Sequence, residues 1–378
     1  MGSKFIQGSA AQWQSAGALD AHLKAIRETF AEARRYAPSI LFIDEIDSIG
    51  NRELLSGHNA VYQTDVINAV LEQVQGMDPE EPVVVIGATN FLERVDPALR
   101  RAGRLDQVVT IPRPNVAALT EIFKHYLRSH RTNGTLDGDV DEKLLAQLAF
   151  GAMGADVEFF VRGAARRARK ERRNLIQADL VAEVTRRPRR EENVIRLAPE
   201  ELRRVAVHEA GHALASLLGS GAGADIAYVS VIPRMDGSLG FVASAPAEGA
   251  AMTRREALEL LEVALGGRAA EELVYGEEEV SLGAGGGTSS DLAAATRIAT
   301  ALICTSGLGA DGSLLWTDQP TAAQLTQIDA MLRQAYESAQ ERLALHRALL
   351  NRVAETLVAE QELDGEALRS LVESTAAG

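Results

Sequence analysis

Two short apolar runs in the first hundred residues, SILFID and VVVIG, limit the folds open to this chain. Both are rich in β-branched residues, and both are followed by polar residues, a pattern typical of buried parallel strands. Helical patterns alternate with them. The expected elements are strands at about 40–44, 83–88 and 107–111 and helices at about 19–36 and 60–75. This alternation predicts an α/β subdomain.

Polar residues follow both of these strands. Asp44 and Glu45 come at the end of the first run, and Asn90 follows the second. Two carboxylates at the end of a buried parallel strand are typical of a Walker B element, where the aspartate holds Mg²⁺ and the glutamate orients the water that attacks the γ-phosphate. Asn90 is well placed to sense that phosphate. The alternative is an ordinary core strand with an exposed acidic end.

The second half of the chain carries His-Glu-Ala-Gly-His at residues 208–212, inside a helical pattern. Positions i and i+4 of an α-helix share one face, so His208 and His212 can both bind one Zn²⁺. Glu209 can then take a proton from a water molecule that the metal activates, which predicts hydrolysis, most often of a peptide bond. Gly211 weakens the helix by about 1 kcal/mol relative to alanine, so we expect a close neighbour there. The alternative is a partly buried helix with two surface histidines.

A catalytic zinc usually takes three protein ligands, so a third ligand must come from elsewhere. One source is Glu271 or Glu272 in LGGRAAEELVYG, on a predicted helix. The other is Asp291, where a Gly-rich loop leads into a helix that Ser289 or Ser290 can cap.

The segment from Pro199 to about Leu308 resembles the peptidase domain of the FtsH family of AAA+ zinc proteases. VHEAGHAL, VSVIPRMDGSLGFV, LGGRAAEELVYGE and GGTSSDLAAATRIA occur in the order that this family shows. The resemblance implies that Asp291 completes the zinc site. Glu271 and Glu272 would then be structural residues or would support the ligands.

The resemblance extends to the first half of the chain. It implies that Arg101 and Arg104, in VDPALRRAGRLDQ, reach the nucleotide of a neighbouring subunit, where an arginine stabilises charge in the transition state. GAMGADVEFF resembles the family's GFSGADL, which implies that Gly154 and Ala155 lie near the adenine. SAAQWQSAG aligns with the loop that faces the central pore, with Trp13 where the family has phenylalanine. The alternative is that Trp13 packs inside its subdomain.

No G-x-x-x-x-G-K-[ST] motif occurs in the chain. This P-loop motif cradles the β- and γ-phosphates with backbone N–H groups and a lysine. In the family it precedes the segment that matches KFIQGSAAQWQ, where this chain begins. We therefore expect the first strand, the P-loop and the next helix to be missing, and ATP binding to be very weak or absent. ATP and Mg²⁺ are expected cofactors of the intact protein.

These observations predict a partial α/β AAA+ nucleotide-binding subdomain with a helical lid, followed by a mostly helical zinc metallopeptidase domain. The expected boundaries are 1–112 for the α/β subdomain, 113–190 for the lid and 198–378 for the peptidase domain. Because the α/β part lacks a strand, we expect it to be poorly stable alone.

Two parts of the peptidase domain have predicted shapes. AYVSVIPRMDGSLGFVAS is expected to form a hairpin that turns at residues 235–237, and its edge strand would pair with the substrate's main chain. From about Ala322 to Leu371 we expect a pair of amphipathic helices, broken near LDGE.

Composition limits the binding partners and the cellular location that we expect for this chain. The net charge of −14 argues against general nucleic-acid binding. A single cysteine, Cys304, excludes an intrachain disulfide and fits a reducing compartment. No run approaches the roughly 18–20 apolar residues of a membrane span. We expect a cytoplasmic location, or the cytoplasmic face of a membrane if membrane helices precede this segment in the intact protein.

The expected function is that of a zinc endopeptidase within an ATP-dependent ring protease that degrades unfolded or damaged proteins. The expected partners are unfolded polypeptides as substrates and further copies of the chain, in a hexamer. The alternative is a non-proteolytic AAA+ assembly factor or chaperone that uses its peptidase domain as a scaffold.

Overall fold

A computed structural model describes most of the chain. The described residues are 3–15, 17–55, 60–75, 82–187, 196–219, 226–244, 252–281, 287–309 and 312–376. The chain divides into two compact units, Met1–Pro112 and Arg113–Gly378. Within the described ranges, no helix has both the length and the apolar character needed to cross a membrane.

The first unit is built on a three-stranded parallel sheet. Its strands lie in the order β1 (Lys4–Ser9), β2 (Ser39–Asp44) and β3 (Val83–Gly87). The connecting helices are α1 (Ala10–Ser15), α2 (Leu19–Arg35) and α3 (Ala60–Gln75). The two predicted strands and the two long helices agree with these positions.

The third predicted strand was wrong. Residues 107–111 form no strand, and Val109 and Ile111 are 83% and 88% exposed. A strand needs a partner backbone, and this segment pairs with none of the three strands of the described sheet. A strand that was not predicted, β1, instead pairs with β2 along its whole length, from Lys4 opposite Ser39 onwards.

The sheet of the first unit is packed on one face. Leu41 of β2, Phe30 of α2 and Ile67 of α3 are fully buried between the sheet and these helices. Alternate residues of a strand point to opposite faces. On the other face, Val84 is 57% and Ile86 44% exposed. The described part of this unit therefore leaves one apolar sheet face open to solvent.

Four helices begin the second unit: α4 (Val116–Thr132), α5 (Glu142–Leu148), α6 (Gly154–Lys170) and α7 (Gln177–Val184). We call them together the four-helix segment. Their apolar faces form one buried cluster that includes Phe123, Leu145, Val157 and Leu180. Asn115 starts the first helix, because its side-chain oxygen accepts from the Ala118 N–H at 2.9 Å.

The rest of the second unit is mostly helical. Its elements are α8 (Pro199–Leu217), β4 (Ile226–Ser230), β5 (Phe241–Ser244), α9 (Arg254–Tyr275), α10 (Asp291–Thr300), a π-helical turn (Ala301–Thr305), α11 (Ala322–Leu345), α12 (Arg347–Glu360), β6 (Glu362–Asp364) and α13 (Gly365–Ala376). The strands form an antiparallel sheet in the order β5-β4-β6, so β5 is an edge strand.

The predicted hairpin is confirmed. β4 pairs with β5, and the Gly237 N–H donates to the Arg234 carbonyl at 3.1 Å to close the turn. Gly237 has a φ of +89°, a conformation that glycine adopts without strain.

The predicted pair of C-terminal helices needs correction. Three helices cover this region, because the chain breaks at His346 as well as near residue 361. The second break contains β6, whose Leu363 pairs with Val229 of β4 and lies in the core. A three-residue strand is too short to show a pattern of its own in a sequence.

The close neighbour expected at Gly211 is helix α9. A Cβ on Gly211 would lie 2.5 Å from the Cβ of Ala270, and one on Gly266 would lie 2.8 Å from the Gly211 carbonyl oxygen. Neither position has room for a side chain. The backbones of α8 and α9 therefore approach closely between the two histidines.

Candidate metal centre

Three side chains of the second unit converge on one point. His208 and His212 lie one turn apart on α8, and Asp291 is the first residue of α10. The two Nε2 atoms are 3.1 Å apart, and Asp291 Oδ2 lies 3.1 Å from Nε2 of His208 and 3.3 Å from Nε2 of His212. Ligand atoms about 2.0–2.1 Å from a tetrahedral zinc are about 3.3 Å apart, so the spacing fits one zinc ion.

The hydrogen bond at Nδ1 of each imidazole determines that Nε2 is the ring nitrogen able to bind a metal. Nδ1 of His212 donates to the Val263 carbonyl at 2.7 Å, because a carbonyl oxygen can only accept. Nδ1 of His208 likewise donates to the Glu271 carboxylate at 2.7 Å. When both rings are neutral, each Nε2 therefore presents a lone pair to the Asp291 oxygen, which is itself an acceptor. Three acceptors at this distance are satisfied by a proton or a metal ion between them, and two imidazoles with a carboxylate suit zinc.

The charges around His208 favour a cation at the same point. Burial lowers the pKa of His208, but hydrogen bonds with Asp291 and Glu271 outweigh burial and raise that pKa to about 10. Burial alone would raise the pKa of Asp291, and its hydrogen bonds with the two histidines lower it instead. The Asp291 carboxylate is thus held in its charged form beside the imidazoles.

Glu271 holds the outer nitrogen of a histidine. This carboxylate is 1% exposed and also accepts from the backbone N–H and the hydroxyl of Ser281, each at 2.9 Å. Its neighbour Glu272 accepts from the Tyr336 hydroxyl on α11. Of the three carboxylates considered from the sequence, the structure brings Asp291 to the two Nε2 atoms. Ser281 was missed because nothing in its local pattern marks it.

Gly267 of α9 lies directly against the metal-facing edge of both imidazoles. A Cβ on this residue would be 2.5 Å from Nε2 of His212 and 2.6 Å from Nε2 of His208. A side chain would fill the space into which both nitrogens point. The Gly-Gly pair in LGGRAAEE was a readable signal for this close approach.

Glu209 lies beside the trio and is 7% exposed. Burial raises the pKa of its carboxyl group, while the two neighbouring histidines oppose that rise. Gly240 immediately precedes β5. A Cβ on this glycine would lie 2.6 Å from Glu209 Oε1, so Gly240 touches the carboxylate. The edge strand therefore begins next to the buried Glu209 carboxylate.

Asp44, Glu45 and Asn90, the candidate residues for nucleotide hydrolysis, lie at or just after the ends of two neighbouring strands, as predicted from the sequence. Asp44 ends β2, and Glu45 follows in a left-handed conformation with a φ of 50°. The Ala88 N–H donates to the Ile43 carbonyl at 2.9 Å, which holds the ends of β2 and β3 side by side. Asn90 thus follows β3 at the same edge of the sheet as Asp44 and Glu45.

The other candidate nucleotide residues belong to two different units. Arg101 is exposed, in the irregular segment after β3. Arg104 donates to the Ala98 carbonyl at 2.6 Å and to Gln75 Oε1 at 2.8 Å, both within its own unit. Gly154 and Ala155 begin α6 in the second unit, and a Cβ on Gly154 would meet no atom within 4 Å.

Trp13 is a core residue. Its side chain is 3% exposed, and its indole Nε1 donates to the Thr29 hydroxyl at 3.1 Å. Its ring centroid lies 6.4 Å from that of Phe30. A side chain that contacts substrate in a pore must be exposed, so this position agrees with the packing alternative and gives the pore role no support.

Comparison with known proteins assigns both units to families. Residues 195–371 match peptidase family M41, and residues 1–113 match the ATPase family associated with various cellular activities (AAA). The ATP-dependent zinc metalloprotease FtsH of Pseudothermotoga lettingae is 35% identical over 92% of this chain and 58% of its own length. FtsH of Thermotoga maritima is 32% identical over 92% of this chain and 59% of its own length. Human ATP-dependent zinc metalloprotease YME1L1 is 32% identical over 92% of this chain and 45% of its own length.

The chain thus spans about half the length of these relatives. Its two matched segments follow one another in the order AAA ATPase, then M41 peptidase. The metal implied by these relatives' names is zinc, and the trio of His208, His212 and Asp291 has a donor set that fits it. From these matches, the chain belongs to the FtsH-type AAA+ zinc metalloproteases.

Proposed function

We propose that this chain is a zinc-dependent endopeptidase that cuts unfolded polypeptides. The observation that carries the proposal is the convergence of two Nε2 atoms and one carboxylate oxygen within 3.3 Å of one another, with a buried glutamate beside them. A zinc ion bound there would supply Lewis acidity to the scissile carbonyl group. His208, His212 and Asp291 would hold the ion.

The remaining roles belong to the chain's own groups. Glu271 and the Val263 carbonyl orient the two imidazoles through their Nδ1 atoms. Glu209 accepts a proton from the attacking water and returns it to the amide nitrogen as the carbon–nitrogen bond breaks. Its buried position supports this role, because burial raises the pKa of the Glu209 carboxyl group and so makes the carboxylate a better base.

The edge strand β5 supports the choice of substrate. Its inner side pairs with β4, and its outer side pairs with no other described strand. An extended peptide can add to such an edge through main-chain hydrogen bonds, which tolerate many sequences. Gly240, immediately before β5, touches Glu209, so a peptide aligned on this edge would pass the proton acceptor. Only unfolded segments can lie in this way.

Metal analysis combined with casein cleavage tests the proposal. We expect about one zinc per chain, cleavage of casein, loss of cleavage with a chelator and recovery on adding zinc. Cleavage that resists the chelator, or a purified chain with no zinc and no activity even after zinc is added, would contradict it. No feature of the described site favours the scaffold alternative, which predicts the second of these outcomes.

The ATPase part of the proposal rests on the sequence. We propose that Asp44, Glu45 and Asn90 serve nucleotide hydrolysis in an intact AAA module, with Arg101 and Arg104 acting on a neighbouring subunit's nucleotide. The hydrogen bonds of Arg104 within its own unit would have to break for that role. Because the chain has no P-loop motif, we propose that it binds ATP·Mg²⁺ weakly or not at all. Tight binding in a calorimetric titration would disprove this.

Three further expectations stay proposals. The chain would assemble as a homo-oligomer, with six copies as in a ring protease. Its second unit would comprise a lid at 113–190, with Gly154 and Ala155 near an adenine, and a peptidase domain at 198–378. Its place in the cell would be the cytoplasmic side. Light scattering on the purified chain tests the assembly, and a strictly monomeric chain would rule it out.

A further inference from the structure

Strand β5 is held between two cores of the second unit. Successive residues of a strand point to opposite faces. Phe241 and Ala243 pack against the buried cluster of the four-helix segment. Val242 packs against the core built around α8, the helix that carries the histidines. A change in the position of the four-helix segment would therefore displace β5, the strand that begins beside Glu209.

The turn before β5 is also bonded to the chain that leaves the four-helix segment. Arg234 Nε donates to the Thr185 carbonyl at 3.0 Å, and the Met235 N–H donates to the Arg186 carbonyl at 3.1 Å. Thr185 and Arg186 directly follow α7. The turn leads straight to Gly240, so these bonds set where β5 begins.

Arg187 ties the same stretch to the other two strands of the sheet. Its guanidinium donates to the Tyr228 hydroxyl of β4 at 3.0 Å and pairs with the Glu362 carboxylate of β6. The side chains of Arg187 and Glu362 are 14% and 34% exposed, so this ion pair is partly shielded from water. The Tyr228 ring stacks on Phe241 of β5, with centroids 6.2 Å apart. Arg187 thus joins β4 and β6 directly, and β5 through the Tyr228 ring, to the end of the four-helix segment.

We infer that Arg187 is a positioning residue for the peptidase reaction. It holds the four-helix segment against the β5-β4-β6 sheet and thereby sets how β5 presents a peptide to Glu209. This inference rests on the proposed function of the metal site. It makes the four-helix segment part of the substrate-binding structure, because the alignment of β5 depends on its contact with these helices.

The position of Arg187 dictates which kinetic constant should change. The histidines lie on α8 and Asp291 on α10, and Arg187 contacts neither helix in the bonds described. Its loss should therefore leave zinc content and the chemical step intact. A substrate that lies along β5 should bind less well in the ground state and in the transition state alike. Such an equal loss raises KM without lowering kcat.

The test compares Arg187→Gln with Arg169→Gln, a matched loss of charge at an exposed position of α6. For an unstructured peptide long enough to lie along β5, we expect Arg187→Gln to raise KM about fivefold, with kcat within about twofold. The zinc content of both variants should equal that of the parent chain. Arg187→Lys should restore part of the KM, because it keeps the charge. Arg169→Gln should match the parent in all respects.

Glu362→Gln gives a second route to the same interaction. It should raise KM in the same way, and the double variant Arg187→Gln/Glu362→Gln should be no worse than the poorer single variant, since both remove one coupled interaction. An unchanged KM in Arg187→Gln would overturn the inference. So would a parallel fall in kcat, zinc content and melting temperature, because that is the signature of a general structural role.

Hydrogen exchange separates failure of this inference from failure of the proposed function. Amides of β5 should exchange faster in Arg187→Gln than in the parent, while those of α8 should not change. This readout does not need activity. If the parent chain fails to cleave casein, the proposed function falls, and the exchange rates still decide whether Arg187 holds β5. Unchanged exchange in β5 would overturn the inference whatever the activity.

Discussion

At the scale of the residue, Glu209 allows the sharpest test of chemistry, because it lies beside the metal trio without belonging to it. Glu209→Gln has nearly the same shape but cannot accept a proton at working pH. We expect cleavage of casein to fall by about 10²-fold or more while zinc content stays unchanged. Glu200→Gln, an exposed position on the same helix, is the control. Parent-like cleavage by the Glu209 variant would remove this residue from the mechanism.

Zinc affinity should rank the three carboxylates that the sequence leaves as candidates. Asp291→Ala removes the oxygen nearest both Nε2 atoms and should abolish stable zinc binding. Glu271→Ala leaves the ligand atoms in place but frees the His208 ring, so affinity should fall by about 10- to 100-fold. Glu272→Ala should have little effect, since Glu272 bonds to Tyr336. Competition with a zinc-binding dye measures all three. Full affinity in Asp291→Ala would transfer the ligand role elsewhere.

At the scale of the element, the contact of α8 with α9 shapes the metal site. Gly267→Ala would place a methyl group 2.5 Å from Nε2 of His212, in the space where a metal would lie. We expect zinc to be lost although α9 gains helix propensity. Gly219→Ala, where a Cβ meets no atom closer than 3.4 Å, is the matched control. Zinc content that survives the Gly267 change would show that the two helices can move apart.

An ion pair in the first unit should make its stability depend on acid. Burial alone would raise the pKa of Asp96, but hydrogen bonds from Arg52 and the Ala98 N–H outweigh burial and lower it to about 2. A folded-state pKa below the unfolded value of about 3.9 stabilises the fold above that pH. The stabilisation is lost as pH falls from about 4 to about 2.

Urea titrations at several pH values measure this effect. Above pH 5, Asp96→Asn should lower the free energy of unfolding of the first unit by about 1–2 kcal/mol, allowing for the partly exposed Arg52. The variant should also lose much of the parent's dependence on pH between 4 and 2. Asp65→Asn, exposed on α3, should do neither. Equal pH dependence in parent and Asp96 variant would show that other groups dominate.

At the scale of the whole molecule, the two units should unfold separately. The first unit exposes one apolar face of its sheet, and the metal site lies entirely in the second unit. We expect the first unit to unfold at lower urea concentration. A chelator should lower only the later transition, because zinc stabilises the unit that binds it.

The two tryptophans make this measurable. Trp13 is buried in the first unit, whereas Trp316 of the second unit is 66% exposed and should report little. In a Trp316→Phe variant, fluorescence follows the first unit alone, and circular dichroism follows the mostly helical second unit. Coincident transitions by both signals, shifted together by the chelator, would mean that the units unfold as one.

The sequence by itself was enough wherever a signal is local. A helical period places His208 and His212 on one face, and short apolar runs mark β2 and β3, because both patterns follow from backbone geometry within a few residues. The same locality predicted the hairpin turn at Gly237 and a serine cap, found at Ser290, for the helix that starts at Asp291. These predictions needed no knowledge of how distant segments meet.

Tertiary structure decided what depends on distant contacts. Spacing alone could not choose between Glu271 and Asp291, since their distances to the His208 ring depend on how α8, α9 and α10 pack together. Residues 107–111 look like a strand, yet a strand exists only when another backbone pairs with it. Arg187 carries no local pattern at all, and its link to Glu362 joins residues 175 positions apart. The local sequence determines which chemical group each residue carries, but the packing of the folded chain determines which groups contact one another.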